Sequence, residues 1–159
     1  RTMGYRTLVV DPDPSAPAAR VADDHVIADY DDAVAVERVA RECDVVTVES
    51  SRRATGHASA NLADLDVRAV TARVDRFLPQ VTDAGVVVLD PPRSGAGKAV
   101  VEHLDRIAPD AVLYVACDPV ALARDLGTFR GLGWDVQAME AWDLFPHSHH
   151  FETIALLSR

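Results

Sequence analysis

Cysteine and long apolar runs are both scarce in this sequence. Its 159 residues include two cysteines, Cys43 and Cys117, too few for a small secreted domain held together by several disulfides. No stretch approaches the ~18 consecutive apolar residues of a membrane span, and we expect neither a signal peptide nor a membrane partner. Because reduced thiols are typical of the cytoplasm, we expect a cytoplasmic protein.

Positive charge is also in deficit. The formal net charge is −9, whereas surfaces that bind the phosphates of nucleic acids are usually basic. Bulk electrostatics therefore predict weak RNA binding at best, although a local basic patch around Arg93, Lys98 and Arg124 stays open. Arg93 and Arg124 are equally compatible with ordinary surface charges.

Glycine is absent between Gly4 and Gly56. Rossmann-like sheets hold a nucleotide cofactor on a glycine-rich turn after the first strand, and hold its ribose through a carboxylate at the end of the second strand. The carboxylate is present, because an apolar strand pattern at 44–48 ends in Glu49. The glycine-rich turn is missing before it, and Gly95-Ala-Gly-Lys98 lacks the serine or threonine that a phosphate-binding loop needs after its lysine.

Strand and helix patterns alternate along a chain with 48% hydrophobic residues. Valine-rich runs between amphipathic segments predict a Rossmann-like three-layer α/β sandwich with a mostly parallel sheet. The last two strands follow each other without a helix, which predicts an antiparallel C-terminal hairpin. We predict a single domain over residues 1–159, with strands at 6–10, 25–28, 44–48, 67–72, 85–89, 111–116, 134–141 and 151–157 and helices at 16–23, 31–42, 51–62, 95–107 and 119–132.

Cys117 lies where the strand pattern at 111–116 gives way to a helix. Asp118 has the chemistry of an N-cap, and Pro119 suits the first helical position. Backbone N–H groups and the helix dipole at such a joint favour a thiolate, which is a nucleophile. The alternative is a small buried hydrophobic residue, since free cysteine is among the most buried residue types.

Two carboxylates and a histidine cluster are further candidates. Asp90 ends the strand at 85–89 before two prolines, so it either serves a site or caps that turn. Glu152 opens the last strand and is either a site residue or a solvated edge residue. His147, His149 and His150 do not have a standard zinc spacing, and we expect no metal.

Three segments occur in a diagnostic order: Asp90-Pro-Pro-Arg93, then Ala116-Cys-Asp-Pro119 followed by Ala-Leu-Ala-Arg-Asp-Leu, then Phe145-Pro-His147 with a following Glu152. In this order they resemble the C-terminal catalytic half of the RNA uracil-5-methyltransferase family, over about residues 44–159. One Asp-Pro-Pro-Arg sequence alone would be a weak signal, whereas the ordered set is specific.

The resemblance implies an RNA substrate and S-adenosylmethionine as cofactor. It implies Cys117 as the nucleophile toward carbon 6 of uracil, and Glu152 as the base that removes the carbon 5 proton. Asp90 would lie between cofactor and pyrimidine, and Glu49 would bind the cofactor ribose. One departure is Asp118, where the family usually has asparagine. The aspartate adds a negative charge beside the thiol.

Residues 1–47 resemble a different family. The segments Met3-Gly-Tyr-Arg-Thr-Leu-Val-Val-Asp-Pro-Asp-Pro14, His25-Val-Ile-Ala-Asp-Tyr-Asp-Asp32 and Cys43-Asp-Val-Val-Thr47 are similar to the N-terminal domain of 5-(carboxyamino)imidazole ribonucleotide synthase, an ATP-grasp enzyme. This resemblance implies no ATP site, because it does not extend to the ATP-grasp domains. The two resemblances meet at residues 43–49, where both families place a strand.

Together these features predict a chimera of engineered origin that carries methyltransferase site residues but has little or no activity, because the glycine-rich cofactor turn is missing. S-adenosylmethionine is the expected cofactor if the site is competent, and otherwise none is expected. Two alternatives stay open: an active RNA uracil-5-methyltransferase, and a nucleotide-binding module without catalysis. A monomer and a homodimer are equally compatible with the sequence.

Overall fold

The computed structural model describes the backbone of residues 8–10 and 24–26, and residues 45–143 and 151–159 in full. The predicted helices at 16–23 and 31–42 lie outside the described residues, as do Cys43 and the histidine cluster at 147–150. The chain divides into two compact units, Arg1–Phe77 and Leu78–Arg159. The single-domain organisation of residues 1–159 stays a prediction.

The first unit contains two pairs of parallel strands. Its described elements are β1 (Leu8–Val10), β2 (Asp24–Val26), β3 (Val45–Glu49), α1 (Arg52–Asn61), β4 (Val67–Thr71) and the short helix α2 (Val74–Phe77). β1 pairs with β2, and β3 pairs with β4. Because α1 connects β3 to a parallel neighbour, these three elements form the βαβ unit that the sequence pattern predicts.

The start of α1 is fixed by a local cap. The side chain of Ser51 accepts a hydrogen bond from the backbone N–H of Ala54 at 3.3 Å, and Leu62 forms the C-cap. The predicted helix at 51–62 therefore differs from the observed one only by its two capping residues. Thr55, the buried residue of this helix, donates a hydrogen bond to the carbonyl of Ser51 at 3.0 Å.

The second unit is a four-stranded sheet with two long helices. Its elements are a 3-10 turn (Leu78–Gln80), β5 (Val86–Leu89), α3 (Lys98–Ile107), β6 (Ala111–Ala116), α4 (Pro119–Gly131), β7 (Asp135–Trp142) and β8 (Glu152–Ser158). The strand order is β5-β6-β8-β7. β5 and β6 are parallel, whereas β8 runs antiparallel to both β6 and β7. The predicted antiparallel C-terminal hairpin is confirmed.

The hydrophobic core of this unit lies where α3 and α4 meet the sheet. Burial alternates along β6, and Val112, Tyr114 and Ala116 form its buried face. Helix residues such as Leu104 and Phe129 are fully buried in the same cluster, and each such side chain contributes about 1.5–3 kcal/mol by leaving water. On β5, Val86 and Val88 are exposed, while the following Leu89 is buried.

Two local features differ from the prediction. A short helical stretch at 74–80 was not predicted, because four helical residues and a 3-10 turn are too short to show a helical period. α3 begins at Lys98 instead of Gly95, because Gly95 and Gly97 have positive φ angles of 79° and 82°. Within the described residues, no helix is long and apolar enough to cross a membrane.

Candidate functional site

The strand register of the second unit gathers candidate residues at one edge of the sheet. We call this region the site edge and define it as the turn at 90–97, the pair Cys117 and Asp118, and Glu152. Ala116 and Thr153 are Cα partners in the antiparallel β6–β8 pair. The next residue outward on β6 is Cys117, and the next on β8 is Glu152, so the register places the two opposite each other.

Asp90 reaches the same edge from β5. Its neighbour Leu89 is the last residue of that strand and lies level with Tyr114 of β6. Because β5 and β6 are parallel, the chain leaves both strands on the same side of the sheet. Asp90 is exposed, whereas Cys117 and Glu152 are half-buried.

Cys117 lies at the joint between β6 and α4, where the sequence placed it. The predicted N-cap is confirmed, because Oδ1 of Asp118 accepts the backbone N–H of Ala121 at 2.7 Å, and Pro119 is the first helical residue. Cys117 lines a shallow recess at the site edge. The other lining residues are Pro91, Pro92, Gly95, Tyr114, Ala116, Asp118, Ala121 and Leu122.

The turn at 90–97 is held in place by Asp125, a fully buried residue of α4. Its Oδ2 accepts the backbone N–H groups of Ala96 and Gly97 at 2.7 and 3.1 Å. The same oxygen accepts the hydroxyl of Tyr114 at 2.7 Å. Burial raises the pKa of the Tyr114 hydroxyl, and its hydrogen bond to Asp125 raises that pKa further, so Tyr114 stays a neutral donor.

Arg124 completes this arrangement from the solvent side. Its guanidinium donates to Oδ1 of Asp125 at 3.2–3.3 Å, and its Nη2 also donates to the carbonyl oxygen of Ser94 at 2.6 Å. The carboxylate of Asp125 is therefore paired with a cation, which a buried charge requires.

Sequence reasoning missed Asp125. The available signal was its spacing, since Ala121, Asp125 and Phe129 recur every four residues on the buried face of α4. An acid inside an apolar stripe predicts a buried polar partner. The identity of that partner, a turn 28 residues upstream, depends on tertiary structure.

The basic patch that the sequence left open is partly compensated by internal contacts. Lys98 pairs with Glu102 at 3.6 Å, one helical turn along α3. Arg124 pairs with Asp125 at 3.2 Å and is 58% exposed. These contacts leave less positive charge for phosphate than the sequence suggests.

Glu49 belongs to the first unit, at the carboxyl end of β3. Its Oε1 accepts the backbone N–H of Ser51 at 2.6 Å and the hydroxyl of Ser50 at 3.1 Å. The bond from the Ser51 backbone, followed by the bond from the Ser50 hydroxyl, lowers the pKa of the Glu49 carboxyl. An exposed, ionised carboxylate at a strand end is a suitable acceptor for the two hydroxyl groups of a ribose.

Within the part of the chain that the structure describes, no group of three or more histidine, cysteine, aspartate or glutamate side chains could hold a metal ion. The predicted absence of a metal at His147, His149 and His150 concerns residues outside that part.

Two family models match the chain. The model described as tRNA (Uracil-5-)-methyltransferase matches residues 62–159. The model described as Ribonucleotide synthetase preATP-grasp domain matches residues 1–71. The predicted two-part resemblance is confirmed, and the two matches overlap at 62–71, which is C-terminal to the predicted joint at 43–49.

Curated relatives extend the methyltransferase match. An uncharacterized RNA methyltransferase of Streptomyces avermitilis is 47% identical over 116 residues, which are 71% of this chain and 27% of the relative. Another from Streptomyces coelicolor is 43% identical over 124 residues, 76% of this chain and 27% of the relative. The chain thus spans about a quarter of the length of these relatives.

Solved structures show the fold. The tRNA (uracil-54, C5)-methyltransferase of Pyrococcus abyssi, in complex with S-adenosyl-L-homocysteine, matches with a TM-score of 0.67 at 22% identity, over 96% of this chain and 34% of that one. Fibrillarin of Aeropyrum pernix, with bound S-adenosyl-L-methionine, matches with a TM-score of 0.59 at 11% identity, over 94% of this chain and 66% of that one. The predicted Rossmann-like fold is confirmed.

Proposed function

Because the chain belongs to the tRNA (uracil-5-)-methyltransferase family through residues 62–159, we propose that its site edge performs the covalent chemistry of uracil C5 methylation in RNA. Cys117 is the nucleophile, Glu152 is the base, and Asp90 lies between the pyrimidine and the cofactor. The observation that supports this assignment is the β6–β8 register: Ala116 pairs with Thr153, and continuing that register by one residue brings Cys117 level with Glu152.

The chemistry needs a nucleophile and a base on one pyrimidine ring. The Cys117 thiolate adds to carbon 6 of uracil, the carbon 5–carbon 6 double bond opens, and the electron pair becomes available at carbon 5 as an enolate. When bound, S-adenosylmethionine would supply a methyl group to that carbon and would leave as S-adenosylhomocysteine. The Glu152 carboxylate then takes the carbon 5 proton, the double bond forms again, and the bond from Sγ to carbon 6 breaks.

The residues of the chain fit the cofactor only in part. Glu49 offers an ionised carboxylate for the ribose hydroxyls. Residues 5–55 contain no glycine, so the close backbone approach of a glycine-rich turn to the cofactor is missing from that stretch. We therefore expect weak binding of S-adenosylmethionine and little or no methyl transfer by this chain.

Hydrogen exchange at carbon 5 tests the nucleophile and the base without the cofactor. Addition of Cys117 to uracil makes carbon 5 exchange its hydrogen with water, so an RNA stem-loop that carries tritium at carbon 5 of uridine should release it. We expect release by the full chain, loss of release in Cys117→Ser, and slower release in Glu152→Gln. Cys43→Ser is the matched control and should behave as the parent. Equal release by the parent and Cys117→Ser would overturn the assignment.

Titration with S-adenosylhomocysteine tests the cofactor half separately. We expect no binding in the micromolar range, and little transfer of labelled methyl from S-adenosylmethionine to RNA. Micromolar binding that is lost in Glu49→Ala, together with methyl transfer that is lost in Cys117→Ser, would instead establish an active methyltransferase. The proposed engineered origin would be contradicted by a natural gene that encodes this continuous sequence with a working activity.

A further inference from the structure

Asp125 accepts five hydrogen bonds next to the site edge, and the chemistry proposed above does not use it. It is 0% exposed. Its two oxygens accept bonds from Ala96, Gly97, Tyr114 and Arg124. Burying a carboxylate in this way is costly unless every lone pair is matched by a well-placed donor. The donors here come from a turn, a strand and the helix itself.

All the backbone donors belong to the turn at 90–97. The N–H groups of Ala96 and Gly97 point at Oδ2 of Asp125. The Ser94 carbonyl is held by Arg124, which is itself bonded to Asp125. Three consecutive peptide groups of the turn are thus tied to two neighbouring residues of α4.

Gly95 shows how close this approach is. A Cβ atom at this position would lie 2.5 Å from Oδ2 of Asp125 and 2.6 Å from Nη2 of Arg124. Gly97 has a similar positive φ, yet a Cβ there would meet nothing within 4 Å. Only glycine at position 95 lets the turn lie against the carboxylate.

The held turn is also the wall of the recess beside Cys117. Pro91, Pro92 and Gly95 line that recess together with Tyr114, whose hydroxyl is the third donor to Oδ2 of Asp125. The same side chain therefore fixes two sides of the space next to the thiol. Asp118, at the start of α4, lines it as well.

From this geometry we propose that Asp125 is a positioning residue for the site edge: it sets the distance between the turn at 90–97 and Cys117, and thereby the fit of the pyrimidine over the thiol. It acts through the turn and does not touch the substrate. The positioning of a pyrimidine rests on the proposed function, whereas the positioning of the turn against Cys117 does not.

The first test measures how firmly the turn is held against Cys117, without any substrate. In a Cys43→Ser background, the rate of Cys117 alkylation by iodoacetamide reports access to the recess. Asp125→Asn should raise this rate several-fold, because an amide nitrogen cannot accept the bonds from Arg124 and the turn loosens. Tyr114→Phe removes one donor to Asp125 and one of the two acceptors of the Ala96 N–H, and it should raise the rate less. Asp105→Asn is the matched control. It removes the contacts that an aspartate of the other helix, α3, makes with Trp134 and Arg159, and it should leave the rate unchanged.

The second test reads function through tritium release from RNA. Asp125→Asn should lower the maximal release rate by about 10- to 100-fold, the scale expected for a misplacement of about 1 Å. The RNA concentration at half-maximal rate should stay unchanged in Asp125→Asn. A general loss of folded protein would also lower the maximal rate, and Asp105→Asn is the control for that effect. Circular dichroism establishes the folded fraction, and Tyr114→Phe serves as the milder variant if Asp125→Asn does not fold.

The outcomes separate the two proposals. Unchanged alkylation in both Asp125→Asn and Tyr114→Phe overturns the positioning role. No tritium release by the parent overturns the proposed chemistry and leaves the alkylation result to decide the turn. Release by the parent with an undiminished rate in Asp125→Asn shows that the turn is held but does not position the substrate, which also overturns the inference.

Discussion

The turns that lead into α3 and α4 lie at the same edge of the sheet, but their caps come from different places. α4 is capped by its own Asp118, three residues from the N–H group it accepts. α3 has Gly97 at its N-cap, with no side-chain bond of its own. Its cap is Asp125, which is 28 residues away on another helix.

This difference decides how far each cap acts. The Asp118 cap satisfies one N–H group of its own helix, and its loss frays that helix. The Asp125 cap satisfies the turn before α3, a tyrosine of β6 and an arginine of α4 together. Its loss removes at once the acceptor of the Tyr114 hydroxyl and of the Gly97 N–H and one of the two acceptors of the Ala96 N–H, so the two aspartates should differ in mutational cost.

Replacing each aspartate by alanine tests the comparison most directly. We expect Asp125→Ala to cost about 2–4 kcal/mol, because the Tyr114 hydroxyl and the Gly97 N–H lose their acceptor at roughly 1–3 kcal/mol each, and Asp118→Ala to cost about 1 kcal/mol, as for a typical N-cap. Urea unfolding of both variants measures the difference. An equal or smaller loss for Asp125→Ala would mean that water replaces the carboxylate as the acceptor for these donors.

The two glycines of the turn separate the cost of a strained backbone angle from the cost of the close contact with Asp125. Gly95→Ala should cost about 3 kcal/mol, because it combines a strained φ with a clash against Asp125 and Arg124. Gly97→Ala should cost about 1–2 kcal/mol, since it has the strained φ alone. Thermal unfolding of the two variants checks the order. Equal costs would show that the backbone angle, and not the close approach, requires glycine at 95.

Asp105 is intermediate between Asp118 and Asp125. It lies near the surface, but its hydrogen-bond partners are distant in the sequence. It accepts the indole N–H of Trp134 at 2.9 Å and pairs with Arg159, whose guanidinium also lies 5.1 Å from the Trp134 ring centre. The bond from Trp134 first, and Arg159 second, hold the pKa of Asp105 below its usual value.

Because that pKa is lower in the folded state than in the unfolded state, the stabilisation is present above the unfolded pKa. It is lost as the pH falls through the folded pKa. We expect Asp105→Asn to cost about 1 kcal/mol at neutral pH. The difference from the parent should shrink below about pH 4, where the unfolded carboxyl takes up its proton. Urea unfolding across the pH range measures it, and a constant difference at all pH values would contradict the electrostatic origin.

The smallest effect is expected for a contact that is both local and exposed. Lys98 and Glu102 form an ion pair one turn apart on α3, with the lysine side chain 77% exposed. Lys98→Met should cost only about 0.2–0.5 kcal/mol. The cost should fall further in high salt, because ions screen exposed pairs. A loss above that of Asp118→Ala would show that Lys98 has a second role at the turn.

Local signals made much of this fold predictable. The caps at Ser51 and Asp118 follow from side chains within three residues of the N–H groups they accept. The valine-rich runs of β5 and β6 predicted the parallel pair, and the helix-free connection between the last two strands predicted the hairpin. Each of these inferences needs only a short window of sequence.

The parts that could not be predicted depend on contacts between distant residues. Nothing near Asp125 indicates that its partners are Ala96 and Gly97, and nothing near Gly95 indicates that its missing Cβ makes room for that carboxylate. The start of α3 at Lys98 instead of Gly95 has the same cause. Asp125 holds the turn before this helix, and the helical period of the sequence does not show that contact.

Because β8 runs against β6, the alignment of Glu152 with Cys117 depends on the whole length of one strand. Leu157, five residues beyond Glu152, is fully buried and pairs with Val112. A slip of one residue would turn every side chain of β8 to the opposite face and move Glu152 by about 3.4 Å along the strand. A leucine in the hydrophobic core therefore fixes the register that keeps the Glu152 carboxylate level with the Cys117 thiol at the far end of the sheet.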